Sequence, residues 1–333
     1  MSIKSRSRLV SAAAAFAAAA VVMTACSSSP TPAASESSDG LIDVNVVTAP
    51  IIDFLPFWVA QDQGFFTEEG LNVTGDGGGA TSSAGVTPLV VSGKYQLGAG
   101  DLATIAQATE QGLDYRGFIT LTHYASKEGE SSIVMLGKAD GPDSLADIPA
   151  GSSIGTQGVG GASQAQVEET IEQLGGDPSK YEYVNVPVES AVELIKNGSV
   201  AAAFVVEPFV AAAKADPEVK ILADVGPAAM PDTPAQVLGA TTAWIESAAA
   251  PRFVAAIDKA IAWIKDPANQ DAVYQILSDE TGIALEDVPS IVLPDWDSEI
   301  GGETTEQLLD LFKKWGTIGD DVTLEDVYVE PGN

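Results

Sequence analysis

Phe54-Leu-Pro-Phe-Trp-Val-Ala-Gln-Asp-Gln-Gly-Phe-Phe-Thr-Glu-Glu-Gly-Leu-Asn-Val73 sets a helix, a stop and a strand in one short stretch. Pro56 has no N–H to donate, so it suits only the first turn of a helix, and Gly64 suits the residue that ends one; a helix is predicted over Pro56–Gln63. Leu71–Thr74 then reads as a strand, and upstream Asp43-Val-Asn-Val-Val-Thr48 reads as another. Two strands separated by a helix form a βαβ unit, whose strands lie parallel under the helix that joins them.

Outward from this unit the rhythm continues. After the loop Gly75–Gly79 a helix ends near Gly93, Tyr95–Gly98 is a strand, Asp101–Gln111 a helix closed by Gly112, and Tyr115–Thr122 a strand. The pattern recurs without repeating the sequence. Ser131–Leu136, Ser153–Thr156, Tyr181–Val186 and Ala201–Val206 read as strands, with helices over Ser163–Leu174 and Glu189–Lys196. Gln236–Thr242 is a last strand, followed by amphipathic helices over Arg252–Lys265, Asn269–Thr281 and Thr304–Trp315, whose apolar stripes read as core. Two α/β units in series suggest two lobes built on mostly parallel sheets covered on both faces.

The single cysteine, Cys26, closes the run Val21-Val-Met-Thr-Ala-Cys26 behind Lys4, Arg6 and Arg8 and an apolar segment, Leu9–Met23. That segment is too short for the roughly 20 apolar residues of a spanning helix. The arrangement resembles a bacterial lipoprotein signal, although Met23 stands where Leu is usual; the plainer alternative is an ordinary secretory signal with a chance cysteine. The expectation is a signal peptide over 1–25, lipidation of Cys26, and a Ser/Pro-rich tether over 26–40. The protein would then sit outside the cytoplasm, anchored to the outer face of the bacterial cytoplasmic membrane.

Loss of the signal leaves 13 Lys and Arg against 47 Asp and Glu, a net charge of −34. A phosphate backbone needs a basic surface to release counterions, so nucleic acid is excluded as a partner. The acidity reads as a solvated surface that favours a soluble monomer.

The Phe54–Val73 stretch resembles the substrate-binding proteins of ABC importers in the nitrate/sulfonate/taurine and thiamine-pyrimidine-precursor group. The resemblance continues through Val91-Ser-Gly-Lys-Tyr-Gln-Leu-Gly-Ala-Gly-Asp101, Ser144-Leu-Ala-Asp-Ile-Pro149, Gly155-Thr-Gln-Gly-Val-Gly-Gly161, Leu174-Gly-Gly-Asp-Pro178 and Val206-Glu-Pro-Phe209; Gln96 departs from the family's usual Asp. It implies an α/β, two-lobed periplasmic-binding-protein fold of the type II, clamp-like kind, with two crossover strands. These are expected at Phe118–Ala125 and near Thr241–Ile245, giving lobe I as 41–122 plus 245–333 and lobe II as 123–244. It further implies a small-molecule substrate, a permease partner and no catalysis. The alternatives are a surface lipoprotein with a sensing or adhesion role, and a pyrimidine-synthase-like enzyme of the same fold; the enzyme's cysteine-rich segment has no counterpart here.

Parallel α/β sheets bind ligands beyond the C-terminal ends of their strands, which ranks the loops Pro50–Phe57, Gly77–Ser82 and Gly100–Leu102. Phe54 and Gly79 are candidates there, with Phe57 and Trp58 as wall or core. Asp101 is either a ligand acceptor or a helix N-cap. In the second unit Gln157, Gly160 and Gly161 head a helix whose backbone N–H groups can meet an acceptor, or form a plain glycine turn. Glu207 would point into the cleft and accept from an amine or ring N–H, or serve as a helix N-cap or first-turn Glu. His123, the only histidine, would touch ligand or bond at the hinge. One His and a lipidated Cys make neither a triad nor a metal site, so no metal and no cofactor are expected. Only Arg116 and Arg252 remain and neither falls in a ranked loop, so an arginine clamp for a sulfonate is not evident, and Glu207 within the cleft favours a taurine/sulfonate-like zwitterion or a nitrogen-heterocycle vitamin precursor over nitrate.

Overall fold

The computed structural model describes residues 40–79 and 83–332, which build two five-stranded sheets. The expected signal peptide, Cys26 and the tether up to residue 39 lie outside the described residues. β1 (Ile42–Val47) passes through α1 (Leu55–Asp62) and the short α2 (Phe65–Glu68) to β2 (Leu71–Asp76), which pairs with it in parallel from Ile42 opposite Leu71. Pro56 lies in the first turn of α1, and Gly64 takes a left-handed φ of 77° between the two helices, as the sequence requires. α3 (Ser83–Val91), β3 (Leu97–Gly100), α4 (Leu102–Glu110) and β4 (Arg116–His123) complete the outward half.

The chain then crosses to the second sheet. It contains β5 (Ile133–Lys138), β6 (Ser153–Thr156), α5 (Ala162–Gln173), β7 (Glu182–Asn185), α6 (Ala191–Lys196), β8 (Ala202–Val206), α7 (Phe209–Lys214) and β9 (Val219–Asp224). After α8 (Val225–Ala229) it returns as β10 (Pro234–Ala240). The strand orders are β2-β1-β3-β10-β4 and β7-β6-β8-β5-β9. In each sheet one strand runs against the other four: β10 is antiparallel to β3 and β4, and β5 to β8 and β9. That odd strand is in both cases the one by which the chain arrives from the other sheet. Identical topology in two units of unrelated sequence is what two lobes of the periplasmic-binding-protein fold have.

Two expectations about the connections need correction. β4 stays in the first sheet up to His123, so the outward crossing follows it at 124–132 and does not span Phe118–Ala125. The return lies at 225–233, because β10 already pairs with β3 and β4; Thr241–Ile245 follows the crossing, as the end of β10's connection and the short α9 (Thr242–Ile245). Residues 234–244 thus go with the first sheet. The source of the error is β9. It is an edge strand whose apolar run is only Ile221–Ala223, between Lys220 and Asp224, and it was not expected as a strand.

α10 (Ala249–Ile264) and α11 (Gln270–Thr281) pack on α1, so the C-terminal helices do return to the first unit. Phe54, Phe57, Trp58, Phe66, Phe118, Trp244 and Phe253 form one aromatic cluster between them, with Phe66 and Phe253 stacked at 5.0 Å. Each such ring, fully buried, contributes about 1.5–3 kcal/mol. α12 (Gly302–Lys314) behaves differently: it packs against α5 of the second unit as well as α4, while α13 (Leu324–Val327) packs on α4. Close approach in the first sheet depends on small residues. A Cβ on Gly239 of β10 would lie 2.6 Å from the ring of Tyr115, whose hydroxyl donates to Gly98 O at 2.9 Å.

Candidate functional site

The C-terminal ends of the strands bring together residues that are far apart in sequence. Asp53 sits in the turn after β1, in the short 3-10 segment Ile52–Phe54, and its Oδ1 accepts from Thr122 Oγ1 at 2.9 Å. Asp101 follows β3 and caps α4: its Oδ1 accepts from Thr104 N at 2.7 Å and its Oδ2 from Thr104 Oγ1 at 3.1 Å. Tyr124 follows β4, at the start of the outward crossing, and its hydroxyl accepts from Gln166 Nε2 of α5 at 3.1 Å. That bond joins the first unit to the second. All three side chains are half-buried.

Their ionisation records the same proximity. Burial pushes the Asp53 carboxyl above the ordinary carboxylate range against the pull of Thr122, and burial does the same to Asp101 against the donors of Thr104. The phenol of Tyr124 is pushed up by burial and then by the negative charges of Asp101 and Asp53, with Gln166 acting against them. Asp53, Asp101 and Tyr124 therefore share one electrostatic environment at the junction of the two units. Gln236, on β10 between β3 and β4, adds its side chain near the same edge, donating Nε2 to Gly100 O at 3.4 Å.

From the second unit, the loop after β6 leads to α5. Gly160 takes a φ of 77° and is exposed, and its N–H donates to Gln164 Oε1 at 2.9 Å. Gly161 is the N-cap of α5, with no side-chain cap, and Gln157 is exposed. Thr156, just before this loop, is fully buried and its hydroxyl has no hydrogen-bond partner. Gly79, exposed at a φ of 79°, ends the described part of the loop after β2.

Three candidates take structural places. Phe54 is fully buried, its ring 6.2 Å from those of Phe57 and Trp58, so it fills the core of the first unit and is not a pocket wall. Trp58 does border a cavity of about 140 Å³ with Thr48, Ala49, Pro50, Gly77 and Glu280, wholly within the first unit. Glu207 is 6 % exposed, with Oε2 accepting from Ala211 N at 2.9 Å and Oε1 from Val292 N at 3.1 Å. Both oxygens thus bind backbone. The first bond caps the N-terminus of α7 from just before its N-cap Pro208, close to the helix-cap role named as the alternative; the second ties the end of β8 to the segment that follows α11, and replaces the expected open acceptor. Burial raises this carboxyl despite both bonds. His123 is 8 % exposed, its Nε2 2.9 Å from Glu299 O and its Nδ1 3.6 Å from Asp232 Oδ1, while its own N–H donates to Asp295 O. It fastens the segment 295–299 to β4, the hinge bonding of the two readings.

Asp53 was missed, although it lies in a loop the sequence had ranked. Its signal was a lone carboxylate between Ile52 and Phe54, where an apolar residue would have continued the core. Among the described residues no group of three or more His, Cys, Asp and Glu is placed to hold a metal, and no helix is long and apolar enough to cross a membrane.

Comparison with known proteins places this geometry among others. The family described as NMT1/THI5 like matches residues 51–270. No curated protein matches the chain by sequence. Among solved structures, the periplasmic aliphatic sulphonate binding protein SsuA from Escherichia coli is similar, with a TM-score of 0.70 and 15 % identity over 87 % of this chain and 92 % of that one. The periplasmic nitrate-binding protein NrtA from Synechocystis PCC 6803 has a TM-score of 0.68 and 14 % identity over 86 % of each chain. A conserved Candida albicans gene product with the generic periplasmic binding protein fold has a TM-score of 0.64 and 13 % identity over 87 % of this chain and 97 % of that one. These likenesses carry the fold: two lobes around a cleft.

Proposed function

Because the chain belongs to the NMT1/THI5-like family, we propose that it is an extracytoplasmic solute-binding lipoprotein, which captures a small organic molecule between its two lobes and delivers it to an ABC importer. The observation that carries this reading is the polar junction of Asp53, Asp101 and Tyr124 with Gln166, set at strand ends where the two units meet. Ligand held there contacts both lobes at once, so its binding energy favours the closed arrangement, and a permease that recognises this arrangement receives only loaded receptor. No bond is made or broken in such a cycle. The substrate classes in view are taurine- or sulfonate-like compounds and nitrogen-heterocycle vitamin precursors. The Gly160 and Gly161 N–H groups are engaged by Gln164 Oε1 and Gly158 O, so in the glycine loop after β6 the exposed side chain of Gln157 is the donor offered to the ligand from the second lobe, and Gly79 allows close approach from the first. Cys26 anchors the monomeric receptor to the outer face of the cytoplasmic membrane through lipid.

The test is a thermal-shift screen of the fragment Ser27–Asn333 against taurine, alkanesulfonates, nitrate and pyrimidines. A ligand at 100 times its dissociation constant adds about 2.7 kcal/mol to stability. No shift across the panel, with no small molecule retained in native mass spectrometry, removes the receptor reading. Cys26→Ser moves the full-length protein from the membrane to the soluble fraction if the anchor is as proposed.

A further inference from the structure

His123 stands where the connections between the two units come together. It is the last residue of β4, so the outward crossing starts beside it, and the return crossing ends against it: Tyr124 N donates to Thr233 O at 2.9 Å and Asp232 N to Tyr124 O at 3.1 Å. A third segment meets the same place. The stretch that leads to α12 is bonded to β4 through His123 N to Asp295 O at 2.8 Å and Thr120 N to Ser298 O at 3.3 Å. α12 then packs on α5 of the second unit, where Lys314 and Trp315 both donate to Glu169 Oε2.

The imidazole touches all three. Its Nε2 is 2.9 Å from Glu299 O on the segment before α12, and its Nδ1 is 3.6 Å from Asp232 Oδ1 on the return crossing. A carbonyl oxygen and an ionised carboxylate only accept, so each ring nitrogen needs its own proton to be held there. A neutral imidazole carries one. Whichever nitrogen keeps it, the other turns a lone pair toward an oxygen, and only the imidazolium satisfies both contacts. The other charged groups nearby are occupied: the carboxylate of Asp295 pairs with Lys265, that of Glu299 acts on Tyr328, and the Tyr124 hydroxyl faces Gln166. Asp232 is exposed and, among the described residues, the one non-glycine residue with a positive φ, 58°, a conformation that Asp and Asn tolerate better than most side chains.

We propose that His123 is a pH-responsive pin of the hinge: as the imidazolium it ties β4, the return crossing and the segment before α12 together, and on giving its Nδ1 proton to water it releases Asp232 and with it the return crossing. The Nε2 proton stays, because it is committed to Glu299 O at 2.9 Å. Lobes of a clamp move through backbone rotations in a few connecting residues, so a tie between those connections biases their motion. Imidazoles exchange their proton near pH 6.5, at about the middle of the physiological range, so the tie is complete on the acid side and weakens as pH rises. A pin of this kind needs only the two-lobed fold and acts whatever the solute.

The test uses the unliganded, isotope-labelled fragment Ser27–Asn333, which contains every described residue. The chain has one histidine, so its ring signals are unambiguous in nuclear magnetic resonance. Between about pH 5 and pH 8 the ring should lose the Nδ1 proton and keep the Nε2 proton. Over the same interval the amides of Tyr124 and Asp232, which close the return crossing, should exchange hydrogen about 2–5-fold faster than the intrinsic base-catalysed trend, the scale of a partly exposed ion pair. Asp232→Asn suits the same backbone conformation and removes the charge; the ring should still titrate, and the step in amide exchange should vanish. A neutral ring that keeps its proton on Nδ1, hinge amides that follow the intrinsic trend throughout, or a step that survives Asp232→Asn overturns the pin and leaves the receptor reading as it stands.

Discussion

Glu207→Gln separates a ligand contact from a tie between the units. The carboxylate is 6 % exposed and accepts at 2.9 Å from Ala211 N, in the first turn of α7, and at 3.1 Å from Val292 N, on the segment after α11. A hydrogen bond to a charged group contributes about 1.5–3 kcal/mol, and a buried N–H left without an acceptor costs about 1–3 kcal/mol. Gln keeps one carbonyl oxygen but turns an amide N–H toward the other backbone donor, so one of the two bonds is lost and two donors are opposed. The charge itself adds little, because burial already raises this carboxyl. The expected net loss is about 2–3 kcal/mol, or roughly 4–10 °C in melting temperature for a domain of this size. Differential scanning calorimetry of the unliganded fragment measures it, and Glu207→Ala, which loses both acceptors, should fall further. An unchanged melting temperature together with a large loss of ligand affinity would refute this reasoning and return Glu207 to the binding site.

Other perturbations probe separate parts of the molecule. Glu169 of α5 is pushed up by burial, but the donors Lys314, Gln173 and Trp315 outweigh that and hold its carboxyl below the ordinary range. Its contribution is therefore complete above the unfolded value near 4.5 and is lost as pH falls through the depressed folded value; Lys314→Met should cost about 1–3 kcal/mol at neutral pH and flatten the acid limb of a stability–pH curve. Asp53 has the opposite sign. Its folded value is raised, so unliganded stability declines as pH rises through it, and Asp53→Asn should raise the neutral-pH stability of the empty protein by up to about 1 kcal/mol in urea titration. Gly239→Ala should destabilise by about 1–3 kcal/mol, since its Cβ would stand 2.6 Å from Tyr115; crystallography of the variant should show the ring displaced from Gly98 O.

The legible part of this protein was the part written in local chemistry. Pro56 and Gly64 bounded a helix because one lacks a donor and the other tolerates a φ of 77°, and the strands of both units declared themselves as apolar runs because parallel strands are buried on both faces. β9 stayed hidden because its apolar run, Ile221–Ala223, is short, and without it the return crossing was sought at 241–245 when it lies at 225–233. Sequence also ranked the loop after β1, and within it chose Phe54. Aromatic Phe54 looked like a wall and is core, because whether a ring faces cleft or helix depends on the turn at Ile52–Phe54, not on composition. Glu207 was read at a true strand end, yet one of its two oxygens is taken by Val292 N, 85 residues away, a pairing that no local pattern announces, and the other by Ala211 N.

Fold and selectivity separate at this point. The two-sheet frame brings strand ends of both units to the outward crossing, where the Gln166–Tyr124 bond joins them, and the receptor reading puts the ligand there. What the frame does not fix is the sign of the charge presented there. A helix N-terminus and glycine loop, as after β6, can serve an acceptor in any such protein. Asp53 and Asp101 are substitutable without harm to the turn or the cap that carries them, so their carboxylates are choices the scaffold leaves open.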